Sequence, residues 1–240
     1  MRAGTSLPGT RYRKRIMNTP TDNNATVTAE PLEIRTYGDP ALRQRAESVH
    51  VVTPEIRQLA ARMIVTMLHE DARGVGLAAP QVGVALRLIT IDTMDGSTTL
   101  PANASPGECL LCPRMPLTLV NPELVWFSTE RASYNEGCLS IPDVHGDVIR
   151  PIRAVLQATT LNGEPINVEC SGLLARCLQH EIDHLDGVLF VERMTTEDRA
   201  RIQPELDRLQ RQTLRRLKRR DGLIAKLMRG ELRPRAPLQV

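Results

Sequence analysis

The sequence predicts an α+β fold: antiparallel strands packed around a central helix, with an N-terminal helix and a C-terminal helix. Three observations predict it. An apolar stripe at helical spacing follows Thr53-Pro54. Two alternating segments flank Asn162-Gly163-Glu164. A helix-period stretch from Ser171 to Asp186 carries His180-Glu181-Ile182-Asp183-His184.

Each element has its own signal. Thr53 is a cap residue with Pro54 at the first helical position, and Ile56, Leu59, Ala60, Met63, Ile64, Met67 and Leu68 follow as a core stripe, with Gly74 as the expected end. Leu86–Ile91 alternates like a strand, and Leu117–Val120 and Leu124–Phe127 are short strand candidates. Met94–Met115, rich in Pro, Ser, Thr and Asn, reads as a long surface loop. Ala154–Leu161 and Pro165–Cys170 form the hairpin around Asn162-Gly163. Ser171 is expected to cap the next helix and Gly187 to follow it. On that helix Leu174, Leu178, Ile182 and Leu185 make one stripe for the core, while Leu173, Cys177, His180 and His184 make a second. Val188–Val191 reads as a further strand. A helix start is expected after Thr195-Thr196, and Pro204 opens the longest helical stretch, to about Arg220.

A chain of 240 residues with 41% apolar residues fits one domain plus tails, and with aromatics at 2% its core must be aliphatic. The expected division is a disordered extension over 1–30, a catalytic domain over 31–198 and a basic helix and tail over 199–240. The net charge of +3 demands no polyanionic partner by itself, yet eleven Lys or Arg face three acids between Arg199 and Arg229. Five cysteines, an odd number in a chain that is not cysteine-dense, argue against a disulfide framework and for a reducing, cytoplasmic compartment. No apolar run is long enough for a membrane span, so no membrane partner is expected. Arg2, Arg11, Arg13, Lys14 and Arg15 allow an organellar transit peptide, but a disordered extension accounts for them as well.

The two histidines, four residues apart, lie about 40° apart around a helix, so both imidazoles leave one face. Glu181 flanks that face. A thiolate from Cys138, in Glu136-Gly137-Cys138-Leu139-Ser140, would complete a three-ligand set and leave a fourth tetrahedral position open, the mark of a catalytic metal. The central helix is then a metal-bearing HExxH helix. One thiolate and two neutral imidazoles suit Zn(II) or Fe(II) better than magnesium or calcium. Metal-bound water ionises near pH 7, and Glu181 is placed to take its proton and pass it to a departing amine. Leu173 and Cys177 should form an apolar wall beside this site. The Gly137-Cys138-Leu139 turn brings the Leu139 backbone N–H near it as an oxyanion donor, and Gln81 offers a side-chain amide. Asp183 and Asp186 suit carboxylates that accept from a ligand histidine, solvent exposure or helix capping alike. Arg150 suits a pair with Glu136 or a plain surface position. Cys109-x-x-Cys112 lacks two further ligands at suitable spacing and is taken as incidental.

Three blocks in order carry a resemblance: Gly74-Val75-Gly76-Leu77-Ala78-Ala79-Pro80-Gln81, Glu136–Ser140, and Gln179-His180-Glu181-Ile182-Asp183-His184-Leu185-Asp186-Gly187. Together with Asp39-Pro40-Ala41-Leu42-Arg43 they closely resemble the peptide deformylases, over roughly Pro31 to Met194. The resemblance implies metal-dependent hydrolysis of the formyl group from N-formylmethionine at the start of new polypeptides, with release of formate. It implies Cys138, His180 and His184 as metal ligands, Fe(II) first with Zn(II) or another divalent transition metal as alternatives. Glu181, Gln81 and Leu139 would be catalytic. An extended peptide would lie beside Val75-Gly76 and Gly137, against Leu173 and Cys177, by strand addition. Some bacterial deformylases dock on the ribosome through a terminal helix, which makes the basic C-terminal helix a candidate ribosome contact. Asp143-Val144-His145 departs from the more basic pattern common there. A metallopeptidase would share His-Glu-x-x-His but lacks the glycine-bearing and Glu-Gly-Cys blocks. A deformylase-like binding protein would lack one of Gln81, Cys138, His180, Glu181 or His184, and all five are present.

Overall fold

The structure is a computed structural model that describes residues 30–69, 74–94 and 99–228. The extension expected to be disordered thus lies almost wholly outside the described residues. The elements run α1 (Pro54–Met67), β1 (Gly76–Ala78), β2 (Leu88–Ile91), α2 (Pro106–Leu111), β3 (Leu117–Phe127), β4 (Arg131–Cys138), β5 (Ile141–Pro151), β6 (Arg153–Thr160), β7 (Pro165–Ser171), α3 (Gly172–Leu185) and α4 (Thr196–Met228). A five-stranded antiparallel sheet has the order β1-β2-β3-β6-β7, and β4 and β5 form a separate hairpin. Antiparallel strands with a helix before and after them are as the sequence predicts.

The sheet is covered on both faces, and β2 shows how. All four of its residues are buried: Leu88 joins the cluster under α1 with Met63, Met67 and Leu77, while Ile89 and Ile91 join the cluster under α3. Alternate side chains of a strand leave opposite faces, so the burial of all four residues, Thr90 included, means a strand covered twice. The α3 stripe of Leu174, Leu178, Ile182 and Leu185 packs against Ile89, Ile91, Leu119 and Leu156, as its spacing predicts. A third cluster joins Ile141, Val144 and Val148 of β5 to Phe190 and to Leu206 and Leu209 of α4. Ile141 and Val144 are three apart, against the period of two, because Asp143 takes a left-handed conformation with φ 63° and shifts the alternation by one.

Several expectations are corrected. Helix α1 begins as predicted, with Thr53 Oγ1 accepting from Ile56 N–H, but it ends at Met67 and not at Gly74. Gly74 instead donates its N–H to the Met67 carbonyl. The expected loop over 94–115 contains α2. Ser105 caps it, and Glu108 reaches back to the Ser105 N–H at 2.8 Å, a capping box that the Pro and Gly between them obscured. The two candidate strands over 117–127 are one strand, irregular between Val120 and Glu123, where Asn121 has φ 50°. Ser171 precedes α3 but does not cap it, since its hydroxyl donates to Glu108 at 2.8 Å. Val188–Val191 is no strand; Phe190–Glu192 forms a 3-10 turn. The last helix starts at Thr196 and runs through Pro204. An internal proline removes one backbone bond, and buried Leu206 and Leu209 just beyond it hold the helix against the body.

The burial of Leu206 makes α4 part of the core. Leu206→Ala should lower stability by about 2–5 kcal/mol. Denaturant unfolding measures it, and a loss under about 0.5 kcal/mol, the range of surface substitutions, would show that α4 merely rests on the surface.

Candidate active site

Two elements meet at the site: α3, held by its apolar stripe, and the end of β4. The spacing of four brings the His180 and His184 rings to 5.0 Å between centroids. Cys138, the last residue of β4, places Sγ 3.2 Å from His184 Nε2. Ligating atoms of Cys138, His180 and His184 all lie within 4.8 Å of one another.

One ligand candidate, His180, is oriented from behind, whereas the Nδ1 of His184 is buried without a hydrogen-bond partner among the described residues. His180 Nδ1 lies 3.0 Å from Glu136 Oε2. Glu136 accepts a forked pair from Arg150 at 2.7 and 3.0 Å and a further bond from Arg176 at 2.9 Å. Burial alone would raise the Glu136 carboxyl, but the contacts with His180 and Arg150 outweigh it and hold the group down at about 2. Glu136 is therefore ionised and accepts the Nδ1 proton, which leaves the Nε2 lone pair of His180 for the site. Arg150 also reaches Asp183 at 2.7 Å, and Arg193 binds the same carboxylate at 2.6 Å. Asp183 is thus a buried partner and neither a solvated residue nor a cap, while Asp186 receives Arg87 at 2.8 Å.

Glu181 is buried, and its Oε2 has no hydrogen-bond partner. Burial raises its carboxyl to about 7. Gly76 packs directly on it: a Cβ there would come within 2.8 Å of Glu181 Cγ and nearer still to the carboxylate. Gly76 belongs to β1, so the reason for a glycine is this close approach and not a turn. Gln81 is buried too, not a surface amide. The Ala78 N–H donates to its Oε1 at 2.8 Å, so Nε2 must point the other way, to Cys138 Sγ at 3.5 Å and Ser140 Oγ at 3.2 Å.

A cleft of about 590 Å3 opens over these groups. Val75, Gly76, Gly137, Leu139, Leu173 and Cys177 are among the residues that line it. Cys177 donates its thiol to the Val75 carbonyl at 3.3 Å, and burial pushes that thiol well above its ordinary range, so it stays neutral wall. His145 sits against Gly137, which has no room for a Cβ. Sequence reasoning missed Arg176 and Arg193 as supports and left the role of Asp183 open. Arg176 carried a usable signal, standing four residues before His180 on the same helix face. Cys109 is exposed and Cys112 buried, both free, and no metal cluster includes them among the described residues.

The donor set fits a divalent transition metal on three counts: soft and borderline ligand types, a histidine tautomer fixed from behind, and a buried carboxylate oxygen with no protein partner. The polypeptide deformylase family model matches residues 31–200. The chain belongs to the peptide deformylases. It is 47% identical over 176 residues to peptide deformylase 2 of Gloeobacter violaceus, covering 73% of this chain and 84% of that protein. It is 48% identical over 167 residues to the peptide deformylase of Picosynechococcus, covering 70% and 81%. The solved structure of a Synechococcus elongatus peptide deformylase in complex with actinonin superposes with a TM-score of 0.60 at 37% identity, covering 76% of this chain and 88% of that one. As a peptide deformylase the chain is a hydrolase that removes the N-formyl group from the terminal methionine of nascent peptides and releases formate. Deformylases are metalloenzymes, and Cys138, His180 and His184 are the residues here that could hold the ion.

The contact between Gly76 and Glu181 gives a test of the geometry. Gly76→Ala should push the Glu181 carboxylate aside and reduce formate release by on the order of 100-fold, the cost of a displacement near 1 Å, with the fold retained. Turnover and circular dichroism on the same sample check it. An alanine variant with ordinary turnover would mean that Glu181 has room to spare.

Proposed function

We propose that the deformylase bears its metal on Cys138, His180 and His184 of a central HExxH helix, with Fe(II) as the ion in the cell and Zn(II) or another divalent transition metal able to replace it. The observation that carries this reading is the unpaired, buried Oε2 of Glu181 beside the three donors. When bound, such an ion acidifies a water and polarises the formyl carbonyl. Glu181, raised to about 7, is matched to accepting that water's proton near neutral pH and giving it to the amine nitrogen as the C–N bond breaks. Gln81 Nε2 and the Leu139 N–H donate to the formyl oxygen as it gains charge. Leu173 and Cys177 receive the methionine side chain, and the peptide backbone runs along Val75-Gly76 and Gly137 as an added strand. Glu136, Arg150 and Arg176 hold His180 in orientation and touch no reacting atom.

The direct test is Glu181→Gln. The variant should keep its metal and lose at least about 100-fold in turnover. Formate release and metal content are measured on one preparation, and a metal-loaded variant with near-normal turnover refutes the assignment.

We propose further that the enzyme works in the cytoplasm and meets the ribosome through the basic helix. Residues 31–198 are then the catalytic part and 199–240 the contact, a functional division and not a folding boundary, because Leu206 and Leu209 of α4 close the third core cluster. The supports are the exposed Arg208, Arg211, Arg215, Lys218 and Arg219 and an apolar edge whose Leu214 is 42% exposed. Of Ile202, Leu206, Leu209, Leu214 and Leu217, which form that edge, Leu206 and Leu209 are buried, while Ile202 and Leu217 are half-buried. Removing α4 would strip that core, so substitution is the better test. Replacing Arg208, Arg211, Arg215 and Arg219 by Gln should weaken ribosome co-sedimentation by about tenfold or more at low salt and spare activity on a short formyl-Met peptide. Equal sedimentation of both proteins ends the docking proposal.

A further inference from the structure

The described residues line a second cavity, of about 740 Å3, on the other side of α3. Gln179, Ile182, Asp183 and Asp186 face it, whereas Leu173, Cys177, His180 and Glu181 face the catalytic cleft. Helical spacing puts the two sets roughly 140° apart. Five arginines line the cavity against three carboxylates, Glu123, Asp183 and Asp186. Three of the arginines are engaged within the protein: Arg150 with Glu136 and Asp183, Arg193 with Asp183, and Arg87 with Asp186. Two have little or no such engagement. Arg45, 84% exposed in its side chain, makes only a long ion pair with Asp186 at 4.0 Å. Arg131 has no side-chain hydrogen bond or ion pair among the described residues. Phe127, one of only two phenylalanines in the chain, is 45% exposed on the same wall, beside Leu124 and Ile149.

An excess of guanidinium groups in a concave site calls for a multiply charged oxyanion such as phosphate, because each fork matches two of its oxygens at once. The volume is that of a small-ligand site. An exposed ring next to free arginines offers a stacking face to a flat group. We propose that this cavity binds a mononucleotide-like phosphate ester, with its phosphates held by Arg45 and Arg131 and its ring laid against Phe127. The site is separate from the catalytic cleft, and the proposal does not depend on which residues carry out the deformylation.

The test uses the metal-loaded full chain titrated with ADP by calorimetry at about 0.15 M salt, where loose surface attraction is largely screened. The expected result is saturable binding of one equivalent. The double variant Arg45→Gln/Arg131→Gln should weaken it at least about tenfold, and Phe127→Ala should weaken it about threefold or more. Both variants should release formate from a short formyl-Met peptide at the unaltered rate, and saturating ADP should leave the KM for that peptide unchanged. No binding at millimolar ADP overturns the proposal, as does unchanged affinity in either variant, which would place ADP elsewhere. Competition between ADP and the peptide also overturns it, since that places ADP in the catalytic cleft.

Discussion

A buried ion network holds the catalytic half of this molecule together. Glu136 of β4, Arg150 of β5 and Asp183 of α3 are all buried, and Arg150 joins the two carboxylates with bonds of 2.7 to 3.0 Å. The hairpin of β4 and β5 has no strand partner in the main sheet, so its position relative to α3 depends on this network and on the cluster under α4. That position decides whether Cys138, on the hairpin, meets His180 and His184, on the helix. Replacing a buried ion pair by apolar groups can be neutral for stability, but removing one member strands the other at a cost of several kcal/mol. The arrangement therefore gives registry more than it gives net stability. It fixes one placement of the thiolate against the imidazoles, and the same Glu136 oxygen that accepts from Arg150 also orients His180.

What was legible in the sequence follows from this division. The helix α3 was legible in full, since its core stripe and its site stripe are both local periodicities, and a spacing of four places two imidazoles together without any tertiary information. The hairpin of β6 and β7 was legible because Asn162-Gly163 sets its turn, with Gly163 at φ 81°. The hairpin of β4 and β5 was not. Residues 131–135 are exposed on both faces, so they show no alternation, and the inward positions of β5 are shifted by Asp143 and include Gly146 and Arg150. A charged residue at an inward position reads as surface until its two carboxylates are found, and those lie 14 and 33 residues away.

The remaining errors share one cause: tertiary packing overrode local propensity. Pro204 marks a helix start by local rules, yet α4 passes through it because the apolar residues beyond it belong to the cluster closed by Phe190 and Val148. The family match stops at residue 200, while the helix that seals the third cluster begins at Thr196 and runs on to Met228. Similarly, α2 looked like loop because its first turn is Pro106-Gly107. That glycine is required: a Cβ there would come within 2.5 Å of Cys170 Sγ and 2.8 Å of the Glu169 carbonyl. Close packing against β7 brings Glu108 to Ser171 and ties α2 to the start of α3. The catalytic helix is thus held at its entry by a segment that propensity alone assigns to solvent.

Glu181 is where the fold accepts a cost for function. A carboxylate that is fully enclosed, with one oxygen unpaired, destabilises the charged form, and its rise to about 7 is the measure of that. Nothing in the packing demands it. Gly76 leaves room for the carboxylate, since a Cβ there would overlap it. A buried carboxylate and a strand glycine thus meet at one point of contact between β1 and α3. A local violation of this kind, paired across two elements, is what marks a candidate catalytic group in physical terms. The neighbouring Glu136, held down at about 2 by His180 and Arg150, shows the opposite treatment of the same side chain. One carboxylate is held charged against His180 and Arg150, and the other lies near its neutral point, as the proton exchange proposed for it requires. The distance in pKa between them comes from their partners: His180 and Arg150 bond to Glu136, whereas burial dominates at Glu181 and its Oε2 has no hydrogen-bond partner.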